Sequence, residues 1–123
     1  MTKVVWDAGQ RVLLGTDTAN PFLIPGFSIH GELGHLVEAG LTPYEALRSG
    51  THNAAEFLGG LDEFGAVAEG LRADLILLDA NPLADVRHVQ RRVGVMVRGR
   101  WYVEAELQER LERLAASYAD EKD

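Results

Sequence analysis

The sequence predicts an α/β fold, and three observations carry that prediction. An apolar run, Arg11-Val12-Leu13-Leu14, closes on the polar tip Gly15-Thr16-Asp17; helical patterns follow from Ser28 to Gly59; and after Gly60 the periodicity turns strand-like. The apolar run reads as a strand buried on both faces, and in α/β folds the polar tips of such strands carry chemistry. At 123 residues and 46% hydrophobic content, the chain is sized for one compact domain.

Each element has its own signal. Val4, Val5, Trp6 and Ala8 run into Gly9 as the last turn of a helix runs into its terminal glycine. The segment Thr18 to Ser28 holds Asn20, Pro21, Pro25 and Gly26, so it is expected to be a structured loop whose Phe22, Leu23, Ile24 and Phe27 pack. With Ser28 as N-cap, Ile29, Leu33, Leu36 and Val37 recur at helical spacing and stop at Gly40. Thr42-Pro43-Tyr44-Glu45 combines an N-cap threonine, proline at N1 and glutamate at N3, a capping box that opens the next helix. A third helical stretch runs from Asn53 to Leu58 and ends at Gly59-Gly60.

Beyond Gly60, Gly65 to Gly70 reads as a short strand and turn, and Ala73 to Asp79 as a buried strand bounded by acids. Val93 to Arg98 is a further strand, joined through a Gly99-Arg100 link to Trp101-Tyr102-Val103 as a tight hairpin. Glu104 to Tyr118 is a helix with a seam of Leu107, Leu111, Leu114 and Tyr118. That seam either packs on the chain's own strands or forms a coiled-coil contact, and its two heptads favour the former.

Composition narrows the function classes. Nineteen acidic against twelve basic residues give a formal charge of −7, which argues against a nucleic-acid partner. Arg87, His88, Arg91, Arg92, Arg98 and Arg100 sit among acids without interleaved aromatics, so they read as a solvated face. Zero cysteines remove disulfides, thiolate zinc sites and cysteine nucleophiles. No apolar run approaches the ~20 residues of a membrane span and the N-terminus has no signal-peptide core, so no membrane partner and a cytoplasmic location are expected.

Several chemical motifs can be tested. His30 and His35 stand five apart, unlike the i, i+4 pair of zinc-protease helices, and the His30-x-Glu32 pair is similar to that of zinc deaminases, whose required cysteine ligands this chain lacks, which closes that option. Glu32 and His35 share a helical face and are able to bind a metal only with further ligands; an ordinary polar helix face is the reading their spacing favours. Gly65 to Gly70 is followed by Leu71-Arg72 rather than the Lys-Ser/Thr of a phosphate loop. Asp17, a carboxylate ending an apolar strand, suits a hard cation or a general base, or alternatively caps the following turn.

Taken in order, Val12 to Asp17, Pro25-Gly26, Ser28 to Leu33, Val37 to Leu47, Thr51-His52-Asn53-Ala54-Ala55, Leu58-Gly59, Gly65 to Gly70, Ala73 to Asp79 and Asn81-Pro82-Leu83 resemble the C-terminal part of metal-dependent amidohydrolases. The resemblance covers residues 4 to 103 and is to the branch of imidazolonepropionase and Xaa-Pro dipeptidases. It implies that Arg11 to Asp17 is the eighth strand of a TIM-like barrel, with Asp17 the aspartate that binds the catalytic metal or takes the proton of the attacking water. His30 would lie near the substrate. Residues 1–60 would be the last strand and helices of the barrel, 61–103 part of a small β-sandwich, and 104–123 an amphipathic helix and tail.

A whole barrel of this kind takes about 250 residues. The family's His-x-His, bridging lysine and histidines of strands five and six have no counterpart here. The resemblance therefore implies an incomplete barrel, the C-terminal part of a hydrolase acting on carbon–nitrogen bonds of a cyclic amide or peptide-like substrate. Zinc or another divalent metal belongs to the complete enzyme, and this chain alone is expected to be inactive and to bind none stably. Its partner would be the missing N-terminal barrel portion, or a second copy in a homo-oligomer joined through exposed apolar surface. The alternative is a non-catalytic, self-associating structural domain built from the same pieces.

Overall fold

The structure, a computed structural model, describes residues 1–18 and 20–120; Ala19 of the expected loop and residues 121–123 of the expected tail lie outside the described residues. Five helices and three strands follow in the order α1 (Thr2–Asp7), α2 (Ser28–Glu38), α3 (Pro43–Ser49), α4 (His52–Phe57), β1 (Leu75–Leu78), β2 (Arg92–Val97), β3 (Arg100–Val103) and α5 (Glu104–Asp120), with a 3-10 helix at Val86–Gln90 before β2. The mixed helix and strand content is that of an α/β chain.

The helix ends follow the local chemistry. At the end of α2 the Gly40 amide donates to Val37 O (2.9 Å) and the Leu41 amide to Leu36 O (3.1 Å), while Gly40 takes φ +105°. This double bond needs a left-handed residue at the helix end, which only glycine adopts without a Cβ penalty. It turns the chain so that Leu41 enters the core beside Leu36. The capping box of α3 forms as expected: the Glu45 amide donates to Thr42 Oγ1 (3.2 Å) and the Thr42 amide to Glu45 Oε2 (2.7 Å). Glu45 also accepts the Trp6 indole N–H at 3.0 Å, tying α1 to the start of α3. Its carboxyl is held below the ordinary value, chiefly by the Thr42 amide and hydroxyl. Thr42→Ala removes one cap acceptor and should lower unfolding stability by about 1 kcal/mol, read from the urea midpoint.

The core lies where α2 and α3 meet the 3-10 helix. Leu33, Leu36, Leu41, Ala46 and Val86 are buried there, with Trp6, Val12, Leu14, Val37, Leu47 and Val89 packed around them. The Ser49 hydroxyl, fully buried, donates to Ala46 O at 2.6 Å.

The second part is a three-stranded antiparallel sheet of order β1-β2-β3, with Ile76 opposite Val95 and Val95 opposite Tyr102. The β2–β3 hairpin is present, but its two loop residues are Arg98 and Gly99, since Val97 pairs Arg100. Both have positive φ, +48° and +79°, as the right-handed strand twist requires of a two-residue turn. α5 follows β3 directly. The Arg92 guanidinium pairs with both carboxylate oxygens of Glu104 (2.9 and 3.1 Å), and Arg110 lies 4.9 Å from the Tyr102 ring centroid. Burial class changes along the seam: Leu107 is half-buried, whereas Leu111, Leu114 and Tyr118 are exposed. Packing on the chain's own strands therefore accounts for only the first turns of the seam.

Four expectations are corrected. Arg11 to Asp17 has no regular secondary structure and no strand partner, because a strand needs a neighbouring ladder and the described residues supply none beside it. Gly65 to Gly70 forms turns and bends instead of a strand. Ile76 and Leu77 of β1 are more than half exposed, not buried, as are Phe22, Ile24 and Phe27 of the loop. Ser28 is the first residue of α2 rather than its N-cap, and its hydroxyl accepts the Ile24 amide at 2.8 Å. Arg87 and Arg91 are exposed, as a solvated face requires, and pair with Asp85 and Asp79, whereas Arg92 is half-buried and pairs with Glu104.

Candidate functional site

The tip Gly15-Thr16-Asp17 ends the apolar segment Arg11 to Leu14. Two hydrogen bonds fix the segment's backbone just before Asp17: the Leu14 amide donates to Ser49 O (3.3 Å) and the Gly15 amide to Glu32 Oε1 (3.0 Å). Asp17 itself takes φ +51°, a left-handed conformation that aspartate tolerates better than most residues. Its carboxylate is exposed and accepts the Asn20 side-chain amide at 2.6 Å, while its carbonyl accepts the same group at 3.1 Å. Asp17 thus does cap the turn that follows, and the cap leaves its charge at the surface. Backbone outliers of this sort concentrate at functional sites.

His30 lies in the first turn of α2 and is half-buried, with Nδ1 shielded and unpartnered. Burial, reinforced by the Arg92 guanidinium, holds its imidazole below the ordinary value of 6.5. The unfolded chain therefore binds more protons than the folded one in the window just below pH 6.5. Stability falls as pH is lowered through that window and is constant above it. The urea midpoint should follow this course, and His30→Gln should flatten it. Prominent dependence that survives His30→Gln would contradict the assignment.

Glu32 is the side chain that α2 brings to the tip, and it does not form the metal pair with His35 that helical spacing allows. In the structure His35 Nδ1 instead lies 3.1 Å from Glu38 Oε2, at the surface, while Glu32 turns to Gly15. A signal for this was present: Glu32 falls three after Ile29 and four before Leu36, inside the apolar stripe of α2, where a charge needs a partner.

A hydrolytic zinc centre keeps three protein ligands. Among the described residues no three His, Asp, Glu or Cys side chains converge, and Asp17 stands as a single oxygen donor. The residues present do not by themselves fit the ion. Two clefts open elsewhere, one of about 540 Å³ between the α3–α4 turn and β1, the other of about 350 Å³ beside Trp6 and His52; Asp17, His30 and Glu32 line neither. No described helix is long and apolar enough to cross a membrane.

The sequence and the fold both have relatives. The chain is 41% identical over 90 residues to ochratoxinase of Aspergillus niger, an alignment of 72% of this chain and 18% of that protein. It is 45% identical over 83 residues to imidazolonepropionase of Deinococcus deserti, covering 67% of this chain and 20% of the relative. A solved Xaa-Pro dipeptidase with methionine bound in its active site superposes with a TM-score of 0.74 at 25% identity, over 83% of this chain and 24% of that one. The chain thus spans about a fifth of the length of the curated relatives it matches. Residues 2–102 match the model of the amidohydrolase family, whose members are generally metal-dependent, and the chain belongs to that family.

Proposed function

We propose that this chain is the C-terminal portion of a longer metal-dependent amidohydrolase that cleaves a carbon–nitrogen bond in a cyclic amide or peptide-like substrate, and that it is inactive alone. The observation that carries the reading is Asp17: an exposed carboxylate in a left-handed conformation, at the end of an apolar segment tethered at two points, in a chain of this family. Surface area supports it. The chain exposes 8842 Å², whereas a compact monomer of 13.5 kDa exposes about 6500 Å². Phe22, Ile24, Phe27, Ile76 and Leu77 are among the large apolar side chains left more than half exposed, and exposed apolar side chains grouped in this way mark an association face.

In the completed enzyme Asp17 would be an oxygen donor to a divalent metal, zinc in the simplest case, or would accept the proton of the attacking water. The metal would supply Lewis-acid activation, with its other ligands outside this chain. His30, kept neutral by burial and Arg92, is suited to a hydrogen bond with the substrate. The test is complementation: a longer amidohydrolase lacking this segment, mixed with the 123-residue chain, should regain carbon–nitrogen hydrolysis. No recovery on stable association would contradict the proposal.

A second reading, a non-catalytic self-associating domain, draws on α5. Its Leu111, Leu114 and Tyr118 are exposed and lie beyond the residues that match the family. Leu111→Glu with Leu114→Glu should convert a self-associated chain to a smaller species in sedimentation if α5 is the contact, and leave its size unchanged if the barrel-facing surfaces are.

A further inference from the structure

We propose that Glu32 is a positioning residue that sets the placement of Asp17 by holding the Gly15 amide. The inference rests on the hydrolytic reading above for its purpose, but not for its contact. Glu32 Oε1 accepts the Gly15 N–H at 3.0 Å across a separation of 17 residues, and its other oxygen is buried without a partner. Among the described residues the backbone of residues 12–16 is tethered at two points, to Ser49 O and to Glu32. The first fixes the segment to the end of α3, and the second fixes it to α2 two residues before Asp17.

Glu32 is half-buried at the edge of the stripe that buries Leu33 and Leu36, where an apolar side chain would also pack. A carboxylate there is a poor packing element. It is a strong acceptor for a backbone amide, and a charge-assisted bond of this kind is about twice as strong as a neutral one. Since a misplacement of 1 Å at a reacting group costs on the order of 10²-fold in rate, a rigid tether beside Asp17 has a catalytic use that packing does not explain.

The experiment is residue-resolved amide hydrogen exchange on the 123-residue chain. Glu32→Ala should raise exchange at Gly15 at least tenfold while leaving Ala46 and Leu47 of α3 unchanged. Glu32→Gln, which keeps an acceptor at the same reach, should restore most of the protection. Glu32→Asp keeps the charge but is shorter by one methylene, and should behave as alanine does. Gly15 exchange that is the same in Glu32→Ala, or a rise spread equally over α3, or no rescue by glutamine, would overturn the proposal. Because the readout needs neither substrate nor metal, its failure leaves the hydrolytic reading standing. A failed complementation, conversely, leaves this contact intact.

Discussion

In the reassembled enzyme, Asp17→Asn should lower kcat by about 10²- to 10⁴-fold, the range of a lost general base. The substitution isolates the charge. Asparagine has the same shape, tolerates the left-handed region at φ +51°, and offers a side-chain oxygen that can still accept from Asn20. Tip geometry and folding should therefore be preserved, with the urea midpoint changed by no more than about 0.5 kcal/mol equivalent. The reaction, in contrast, loses either an anionic metal donor or a proton acceptor. Steady-state kinetics beside a denaturation curve separate the two. A kcat within threefold of the parent would remove Asp17 from the chemistry.

Leu41→Ala should be the most damaging of the single core truncations. Leu41 is 3% exposed, follows the left-handed Gly40, and packs in a cluster whose buried members are Leu33, Leu36, Ala46 and Val86. Truncating a buried leucine costs about 2–5 kcal/mol, and whole domains are stable by only about 5–15 kcal/mol. A chain with so small a core has little in reserve. The expected result is a urea midpoint shifted far toward zero, or loss of the cooperative transition, followed by the fluorescence of Trp6, which packs against this cluster. Leu114→Ala on exposed α5 should change stability by less than about 0.5 kcal/mol. Equal effects at the two positions would contradict the placement of the core.

Elements governed by local chemistry were legible in the sequence. Thr42-Pro43-Tyr44-Glu45 specified its helix start because cap donors and acceptors lie three residues apart, and Gly9, Gly40 and Gly59 marked the helix ends. The hairpin was legible too, though its turn sits one residue earlier than its Gly-X spacing implied, since Arg98 adopts the left-handed conformation beside Gly99. Where partners decide the outcome, the sequence misled. Arg11 to Asp17 has the composition of a buried strand, as has Leu75 to Leu78, yet the first lacks a ladder and the second is half open to solvent. Both patterns suit neighbours that the described residues do not include.

The site shows the same division. Asp17 was visible as a polar residue ending an apolar run, and its left-handed backbone adds a reason to single it out. The role of Glu32 was not, because pairing it with His35 used helical spacing alone, whereas its partner is a backbone amide 17 residues away. Long-range contacts of this kind leave only an indirect trace: a charge inside an apolar stripe.

Metal stoichiometry tests the central claim, that this chain supplies one donor to a site completed elsewhere. Equilibrated with zinc and dialysed, the isolated 123-residue chain should retain far less than one zinc per chain and hydrolyse neither cyclic amides nor dipeptides. The same chain assembled with the preceding portion of the enzyme should carry the metal and the activity together. One zinc per isolated chain, with hydrolysis that Asp17→Asn abolishes, would contradict the account.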